Sequence, residues 1–316
     1  MVRFTLTLAL WLFASTAHAQ LTRDAVGNGR SALESQLTVG EYLERPSPDR
    51  LCSATMPCDV LFPRDVPFVT LQFRLAQHVT QLAPDLALEF DLDAALVAER
   101  FYTSRGDWQG FWAGSPWLGL SLASRARAQT LRISLGIAPP VAGTRHASLD
   151  FSVSPGGTGA WNEWLTLREA VAVGLLGLGE WRHDHFDVGA DAALVIAPGA
   201  DAVSGWAAAG VWLTGHLSDE VDLGARLQGV VRFTHTDSPF ALESDSTAGH
   251  AALTPFVRYS LPPVSPRGEF SRAPSPSPVP AFIELKTTFG FLAPDGPVFL
   301  SERYTASLAL AAGTNW

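Results

Sequence analysis

The sequence has few charged residues and lacks a second long apolar run, and both absences restrict the fold. Charged residues make up 17% of the 316 residues, whereas about 25% is usual for soluble domains. After Gln20 no apolar stretch approaches the roughly 20 residues that a membrane helix needs. Because hydrophobic residues nevertheless reach 47%, the composition favours a β-protein, either a membrane barrel or a soluble sandwich.

Basic clusters are also missing, and cysteine is scarce. The chain has 22 Lys and Arg against 31 Asp and Glu, a formal net charge of -9, which argues against nucleic acid binding. The only cysteines are Cys52 and Cys58, close together in a segment rich in proline. In an exported chain such a pair predicts a disulfide that closes a small loop. The alternative, a metal site, lacks further ligands nearby.

The first residues have the pattern of a signal peptide. Arg3 supplies a positive charge, residues 4–14 are mostly apolar and uncharged, and Ala17 and Ala19 precede Gln20 as small residues at a cleavage site. A membrane anchor is the alternative, but the segment is shorter than a spanning helix. We therefore expect a signal peptide over 1–19, a periplasmic N-terminal segment over 20–35 and a barrel over 36–316.

The last strand alternates regularly between two faces and ends in an aromatic residue. This pattern resembles the C-terminal signal of outer-membrane barrels, which the barrel-insertion machinery of that membrane reads. The expected signal residues are Tyr304, Leu308, Leu310 and Trp316. Together the two ends predict export to a Gram-negative outer membrane, with membrane lipid and the insertion machinery as partners.

Segments of period two recur from Leu37 to the end, separated by turn residues. Most run about ten residues or more, the length of a tilted membrane strand, whereas globular strands usually have about five or six. Short turns are expected near 83–84, 125–128, 182–185 and 217–220. Longer loops are expected at 44–67, 104–116, 139–162, 198–204 and 242–249. This alternation predicts an all-β, transmembrane, antiparallel up-and-down barrel of about twelve strands, with ten or fourteen as alternatives.

Three features are harder to place. The Pro- and Ser-rich segment 261–280 falls on the periplasmic side, as a linker there or as the sign of a miscounted strand. Pro255 interrupts a good strand, which suggests a bulge or a position near the rim. Aromatic residues near strand ends, among them Trp117 and Phe186, suggest interfacial girdles, with core packing as the alternative.

Three stretches between Ser115 and Trp316 resemble uncharacterised, porin-like outer-membrane barrel proteins of Gram-negative bacteria. They are 117–120 (WLGL), 131–140 (LRISLGIAPP) and 254–259 (TPFVRY). The resemblance implies a fold and a location. It implies no substrate and no catalytic residue.

Charged residues on the polar faces of the strands are the candidate functional set. They are expected to line the lumen, where opposed charges sort ions and polar solutes, or to pair across it and seal it. The candidates are Arg74, Glu89, Asp91, Asp93, Arg132, Asp187, Asp191, Asp222, Arg226, Arg232, Arg258, Lys286 and Arg303.

The sequence gives little support for an enzymatic site or a metal site. His146 and Ser148 have the spacing of a base and a nucleophile, but no matched acid appears. His183 and His185 fall on a short turn, where a solvated turn is the simpler interpretation than a metal site. We therefore expect a channel for small polar solutes or ions, without enzymatic activity or cofactor. The alternatives are a non-conducting barrel that presents extracellular loops and, less favoured, an outer-membrane hydrolase.

Overall fold

The computed structural model describes residues 31–44, 65–103, 106–126, 128–140, 171–198, 202–236, 245–261, 281–293 and 303–315. Regular structure in these ranges is entirely β. None of the described residues forms a helix long and apolar enough to cross a membrane. The predicted signal peptide, both cysteines, the pair His146 and Ser148, and Trp316 lie outside the described residues, so these assignments stay predictions.

Thirteen strand segments follow one another along the chain. They are β1 (Ala32–Glu44), β2 (Asp65–Ala83), β3 (Leu86–Thr103), β4 (Gly106–Ala113), β5 (Trp117–Ala126), β6 (Gln129–Ala138), β7 (Ala172–Arg182), β8 (Phe186–Pro198), β9 (Ala202–His216), β10 (Val221–Thr236), β11 (Asp245–Leu261), β12 (Ala281–Ala293) and β13 (Arg303–Asn315). The first begins at Ala32, four residues before the expected start of the barrel at residue 36.

The strands form one closed antiparallel sheet. Consecutive segments pair with each other except β4 and β5, and β13 pairs with β1 along its whole length, from Ala32 opposite Asn315 to Glu44 opposite Arg303. Closure leaves no free edge between the first and the last strand, which removes the unpaired backbone groups that lipid does not tolerate. The prediction of an all-β, up-and-down barrel is confirmed.

The segments β4 and β5 are two parts of one barrel strand. Both pair with the same edge of β3: β4 with its second half, from Leu96 to Thr103, and β5 with its first half, from Leu86 to Asp93. Between them, three residues, 114–116, stand opposite only Ala94 and Ala95, which is the count of a β-bulge. The thirteen segments therefore occupy twelve positions around the barrel, as predicted.

The ends of the barrel differ in the length of their connections. Ala32 and Asn315 lie at one end, here called the terminal end, where β2 and β3 are joined by two residues and β9 and β10 by four. Leu261 and Ala281, the described residues that flank the Pro- and Ser-rich segment, are at this end as well, so no strand was miscounted. The predictions of two longer loops at the other end were wrong. In place of the loop at 104–116 the structure has β4, and in place of the loop at 198–204 only three residues separate β8 from β9.

The two faces of the sheet have opposite polarity, and the apolar one faces outward. On β6 the outward side chains Leu131, Ile133 and Leu135 are 52%, 59% and 62% exposed, whereas the inward Thr130 and Ser134 are buried. Exposed apolar side chains of this kind continue around the described part of the barrel. An apolar outer belt over a polar interior is the arrangement of a barrel surrounded by lipid.

Pro255 lies in the middle of β11 rather than at a bulge or near the rim, so that expectation was wrong. The ladder between β11 and β10 continues through Pro255, which pairs with Ala225. The ladder with β12 is interrupted between the pairs Leu253–Phe289 and Phe256–Lys286. Because proline has no N–H to donate, an interruption on one side is the expected consequence.

Candidate functional site

The interior of the barrel is built mainly from polar and charged side chains. The largest fully buried side chains of the described residues are Arg226, Lys286, Gln36, Gln72, Glu34, Glu89 and Glu284. In a soluble domain such side chains would be on the surface. Here they are inside because the strand alternation that presents apolar residues to the outside turns every second, polar residue inward.

Eleven of the thirteen candidate lumen residues lie on this inner face within the described structure. They are Arg74, Glu89, Asp91, Asp93, Arg132, Asp187, Asp191, Asp222, Arg226, Arg258 and Lys286, of which Asp91, Arg132 and Asp191 are only partly buried. Arg232 and Arg303 belong to β10 and β13, but their side chains lie outside the described structure.

The first group of charges, here called the seam cluster, joins the last strands to the first ones. It comprises Glu34, Gln36, Arg74, Arg258, Glu284 and Lys286. Lys286 Nζ on β12 lies 2.7 Å from Glu284 Oε1, donates to Gln36 Oε1 at 3.1 Å and lies 3.9 Å from Glu34 Oε1. This lysine therefore connects β12 with β1 across β13.

Two arginines complete the seam cluster. Arg258 Nε lies 3.3 Å from Glu284 Oε2, and its guanidinium stacks on the ring of Phe282, 4.0 Å from the centroid. Arg74 lies between two carboxylates, with 3.6 Å from Nη1 to Glu34 and 3.6 Å from Nε to Asp93. Each buried carboxylate of the seam cluster thus has a cation beside it, which is the condition for burying charges at all.

A second group, here called the Arg132 cluster, lies on the opposite side of β2. It comprises Glu89 and Asp91 of β3, Ser121 of β5, and Arg132 and Ser134 of β6. Arg132 Nη2 lies 3.1 Å from Glu89 and also pairs with Asp91. Ser134 donates to Asp91 Oδ2 at 2.9 Å, and Ser121 donates to the same oxygen.

Two further bridges connect β8 with its neighbours. Arg226 Nη2 on β10 contacts both carboxylate oxygens of Asp191 on β8, at 2.7 and 2.8 Å. Nearer the terminal end, His216 lies between two acids, with Nδ1 2.7 Å from Asp222 and Nε2 3.2 Å from Asp187. His216, on β9, therefore links the acids of the two strands on either side of it.

Three of these cations reach past a neighbouring strand, and small residues make this possible. Arg132 crosses β5 where Ser121 and Ala123 face inward. Lys286 crosses β13 where Ala309 and Ala311 face inward. Arg226 crosses β9 at Gly210, where a Cβ would lie 2.8 Å from Asp191 Oδ1 and 2.9 Å from Arg226 Nη2. Small inward residues therefore make room for charges that belong to strands two positions apart.

Aromatic rings cover other inward glycines. A Cβ on Gly136 would overlap the six-membered ring of Trp117, and one on Gly174 would lie 2.9 Å from the same ring. Trp212 covers Gly189, Phe256 covers Gly224 and Phe282 covers Gly313 in the same way. The assignment of Trp117 to an interfacial girdle was wrong, because this ring is buried inside the barrel. Phe186 is exposed near the terminal end, as a girdle residue would be.

A cavity of about 70 Å³ lies where these groups meet. One wall consists of charged groups from β2, β3, β6 and β8, and the other of apolar side chains from β5, β7 and β8. The inward lining side chains are Arg74, Ala76, Asp91, Asp93, Trp117, Arg132, Ser134, Leu176, Leu178, Asp191 and Ala193. The interior is narrow at this level, because side chains of β2 and β8, five positions apart among the twelve of the barrel, line the same small cavity.

Of the remaining sequence candidates, only His183 and His185 lie within the described structure. His183 and His185 are exposed on the turn between β7 and β8, where His183 stacks on Phe186 at 4.9 Å between ring centroids. Within the described ranges, no group of three His, Cys, Asp or Glu side chains is arranged to hold a metal ion.

Sequence reasoning missed several members of the clusters. Glu34 and Gln36 precede or begin the expected barrel, although Glu34, Gln36 and Thr38 already alternate with Leu33, Leu37 and Val39. Glu284 lies between Ile283 and Leu285, so alternation puts it on the polar face of β12, but it is not among the candidates. Extending the period-two pattern toward the N-terminus would have found the first two.

Solved structures provide the comparison for this fold. An outer membrane channel from Pseudomonas putida F1 aligns with a TM-score of 0.63 and 12% identity, over 96% of this chain and 100% of that chain. The chain has the fold of an outer-membrane β-barrel. A FadL homologue from Pseudomonas aeruginosa aligns at a TM-score of 0.40 with 9% identity, over 96% of this chain and 98% of that chain.

A TM-score as low as that of the FadL homologue supports no further comparison. No protein-family model matches the sequence, and no curated protein matches it significantly. The likeness to the Pseudomonas putida channel therefore concerns architecture, and function has to be argued from the interior of the barrel.

Proposed function

We propose that the protein is an outer-membrane channel that lets small polar solutes or ions pass along its charged interior. The observation that carries the proposal is the convergence of inward charges from opposite walls on one cavity, with Arg74 on β2 facing Asp191 on β8. Charged rows with mixed signs are how narrow aqueous pores select what passes. The Pseudomonas putida protein with the same fold is an outer membrane channel, which supports the same function.

The apolar outer belt supports the proposed location. Outward leucine, isoleucine and valine side chains on most strands are between about a third and two thirds exposed, and water would not stabilise so large an apolar surface. Membrane lipid is therefore the proposed partner of the outer face. The pattern of Leu308 and Leu310 in β13 supports recognition by the insertion machinery.

A direct experiment combines folding with conductance. The full chain is expressed with its N-terminal segment, outer membranes are isolated, and the protein is run unheated and heated on a denaturing gel. A heat-shifted band in that fraction is expected, followed by discrete current steps when the purified protein is added to a planar bilayer. Heat-shifted protein that gives no current would rule out the channel.

One observation favours a second candidate, a non-conducting structural barrel. The charged side chains of the seam cluster are nearly inaccessible, with Lys286 1% and Glu284 0% exposed, so they fill this half of the interior. An absence of current in folded protein would support the structural barrel, and phenotypes would then follow deletion of loops rather than changes of inward residues.

A further inference from the structure

The cavity beside the Arg132 cluster has two chemically different walls. Leu176 and Leu178 project inward from β7 and are only partly buried, and Leu176 packs against the apolar group that contains Trp117 and Ala193. Every other strand lining the cavity contributes charged or polar groups, except β5, which contributes Trp117. An apolar surface at this depth has no role in passing ions, because ions gain nothing from contact with it.

One cation of the charged wall has only long contacts to the carboxylates around it. Its carboxylates already accept hydrogen bonds: Asp91 from Ser134, Asp93 from Gln72 and Asp191 from Arg226. Arg74 differs, because its contacts to Glu34 and Asp93 are both 3.6 Å long, at the limit of a hydrogen bond, although the side chain is only 3% exposed. A buried guanidinium in this state gains free energy from an additional oxygen acceptor.

The charge around the cavity argues against an anion as the source of that oxygen. Three carboxylates, of Asp91, Asp93 and Asp191, line it beside two guanidiniums, of Arg74 and Arg132. A carboxylate ligand would raise the excess of negative charge in a poorly hydrated space, where charges repel strongly. A neutral hydroxyl or carbonyl oxygen meets Arg74 without that cost.

We propose that this cavity binds a small, uncharged amphipathic molecule. Its apolar body lies against Leu176, Leu178 and Trp117, and its oxygen accepts hydrogen bonds from Arg74. The volume of about 70 Å³ corresponds to about five water molecules, which fits an alcohol or ketone with a few carbon atoms. The inference rests on the proposed function, because it names the class of solute that the channel holds on its way through.

The test uses three probes of similar size and a pair of matched variants. Cyclopentanol has an apolar ring and one hydroxyl, cyclopentanecarboxylate carries an anion on the same ring, and glycerol has no apolar side. Leu176→Ala removes part of the apolar wall, whereas Leu175→Ala changes the neighbouring residue, which is 51% exposed on the outer face of the same strand. Leu178→Ala serves as a second inward variant. Folding of each variant is checked by the heat-shifted band.

Binding is measured by ligand-observed NMR on the full protein in lipid nanodiscs, with empty nanodiscs subtracted. Cyclopentanol is expected to bind the unmodified protein and Leu175→Ala equally, and Leu176→Ala roughly fivefold more weakly, as the loss of one or two buried methylene contacts implies. The carboxylate is expected to bind at least about tenfold more weakly than the alcohol, as one repelled charge implies, and glycerol not at all.

Equal binding of glycerol and cyclopentanol, or equal effects of Leu175→Ala and Leu176→Ala, would overturn the inference. Bilayer conductance is recorded on the same preparations to separate the two proposals. Ion current without cyclopentanol binding would refute the amphipathic site and leave the channel standing. Binding without current would support the site and refute the channel.

Discussion

Individual buried charges hold the barrel together at its seam, and Lys286 is the clearest case. Its ammonium lies 2.7 Å from Glu284 and 3.9 Å from Glu34, and the side chain is 1% exposed. Lys286→Met would leave both carboxylates in the interior with one positive charge fewer beside them. Losing one partner of a buried ion pair costs about 3–5 kcal/mol, and we expect the free energy of unfolding to fall by that amount in urea titrations of the refolded barrel in lipid vesicles.

The double variant Lys286→Met with Glu284→Gln provides the control for this prediction. Replacing the carboxylate by a neutral amide removes the charge that lost its partner, so part of the stability should return. A loss below about 1 kcal/mol for Lys286→Met alone would mean that water reaches the seam cluster and that the interior is wetter than the burial indicates.

The packing of the interior also requires glycine at some inward positions. Gly136 is one of them, and it can be compared with Gly177, which is on the outer face of β7. A Cβ on Gly136 would overlap the Trp117 ring and lie 2.7 Å from the carbonyl oxygen of Leu118, whereas one on Gly177 would meet nothing within 4 Å. Overpacking of this kind costs about 1–3 kcal/mol. Gly136→Ala should therefore destabilise the barrel by that amount in the same urea titration.

Gly177→Ala is the matched control, because it adds the same methyl group to a strand glycine with free space around it. Its effect should stay within about 0.5 kcal/mol. Equal losses for the two variants would show that strand flexibility, and not the contact with Trp117, is what the glycine provides.

The charged candidates could be predicted from the sequence at this scale, but Trp117 could not. Period-two alternation fixes which face a residue belongs to, so Arg74, Asp91 and Lys286 could be placed on the polar face without a structure. The stretch 117–120 alternates Trp, Leu, Gly and Leu, and both of its faces contain apolar residues. The inward position of Trp117 depends on glycines of β6 and β7, which are distant in sequence.

Strands and their connections were predictable where length and turn chemistry agreed. The short turns at the terminal end were expected from Pro, Asp and charged residues between alternating runs, and the structure has them there. The prediction of a loop over 104–116 was wrong. It arose because Gly106, Gly110 and Gly114 with Pro116 have the composition of a loop. In the structure the same residues form β4 and a bulge, since β3 extends beyond β5 and offers them an edge to pair with.

Pro255 leads to an element-scale prediction for β11. The proline interrupts the ladder to β12 while its side chain is exposed on the outer face. Pro255→Ala would supply the missing N–H next to Thr287 and Thr288, and in lipid a backbone group gains from every internal partner. We expect the free energy of unfolding to rise by about 1 kcal/mol.

Pro84→Ala is the control for Pro255→Ala, because Pro84 lies in the exposed turn between β2 and β3 and interrupts no ladder. It should leave the free energy of unfolding unchanged or slightly lower, since proline restricts the unfolded chain. A similar gain for both variants would show that the effect does not arise from pairing between β11 and β12.

At the scale of the whole molecule, the sequence determines an inside-out barrel but not the bore of its lumen. The strand count follows from segment lengths and from the alternation of short turns with longer loops, and the polar interior follows from the alternation of side chains. The width of the lumen depends on how far long side chains reach across it. Arg132, Arg226 and Lys286 each reach past a neighbouring strand, and only the small residues of that strand make this possible.

The excess of acids in the interior leads to a prediction for the current itself. Within the described ranges the buried charged residues comprise seven carboxylates and four cations, a difference of three negative charges. Rings of acidic side chains make a pore favour cations. With a KCl gradient across a planar bilayer, the reversal potential is therefore expected to have the sign of a K⁺-selective pore, and selectivity should decrease at high salt because ions screen the charges.

A pair of variants tests whether the buried acids cause this selectivity. Glu180 is buried and pairs with Arg182 at 2.8 Å, whereas Glu220 lies on an exposed turn at the terminal end. Glu180→Gln should move the reversal potential toward zero, and Glu220→Gln should change it less, since water screens a carboxylate outside the lumen. An anion-selective current in the unmodified protein would mean that residues beyond the described interior determine the charge of the pore.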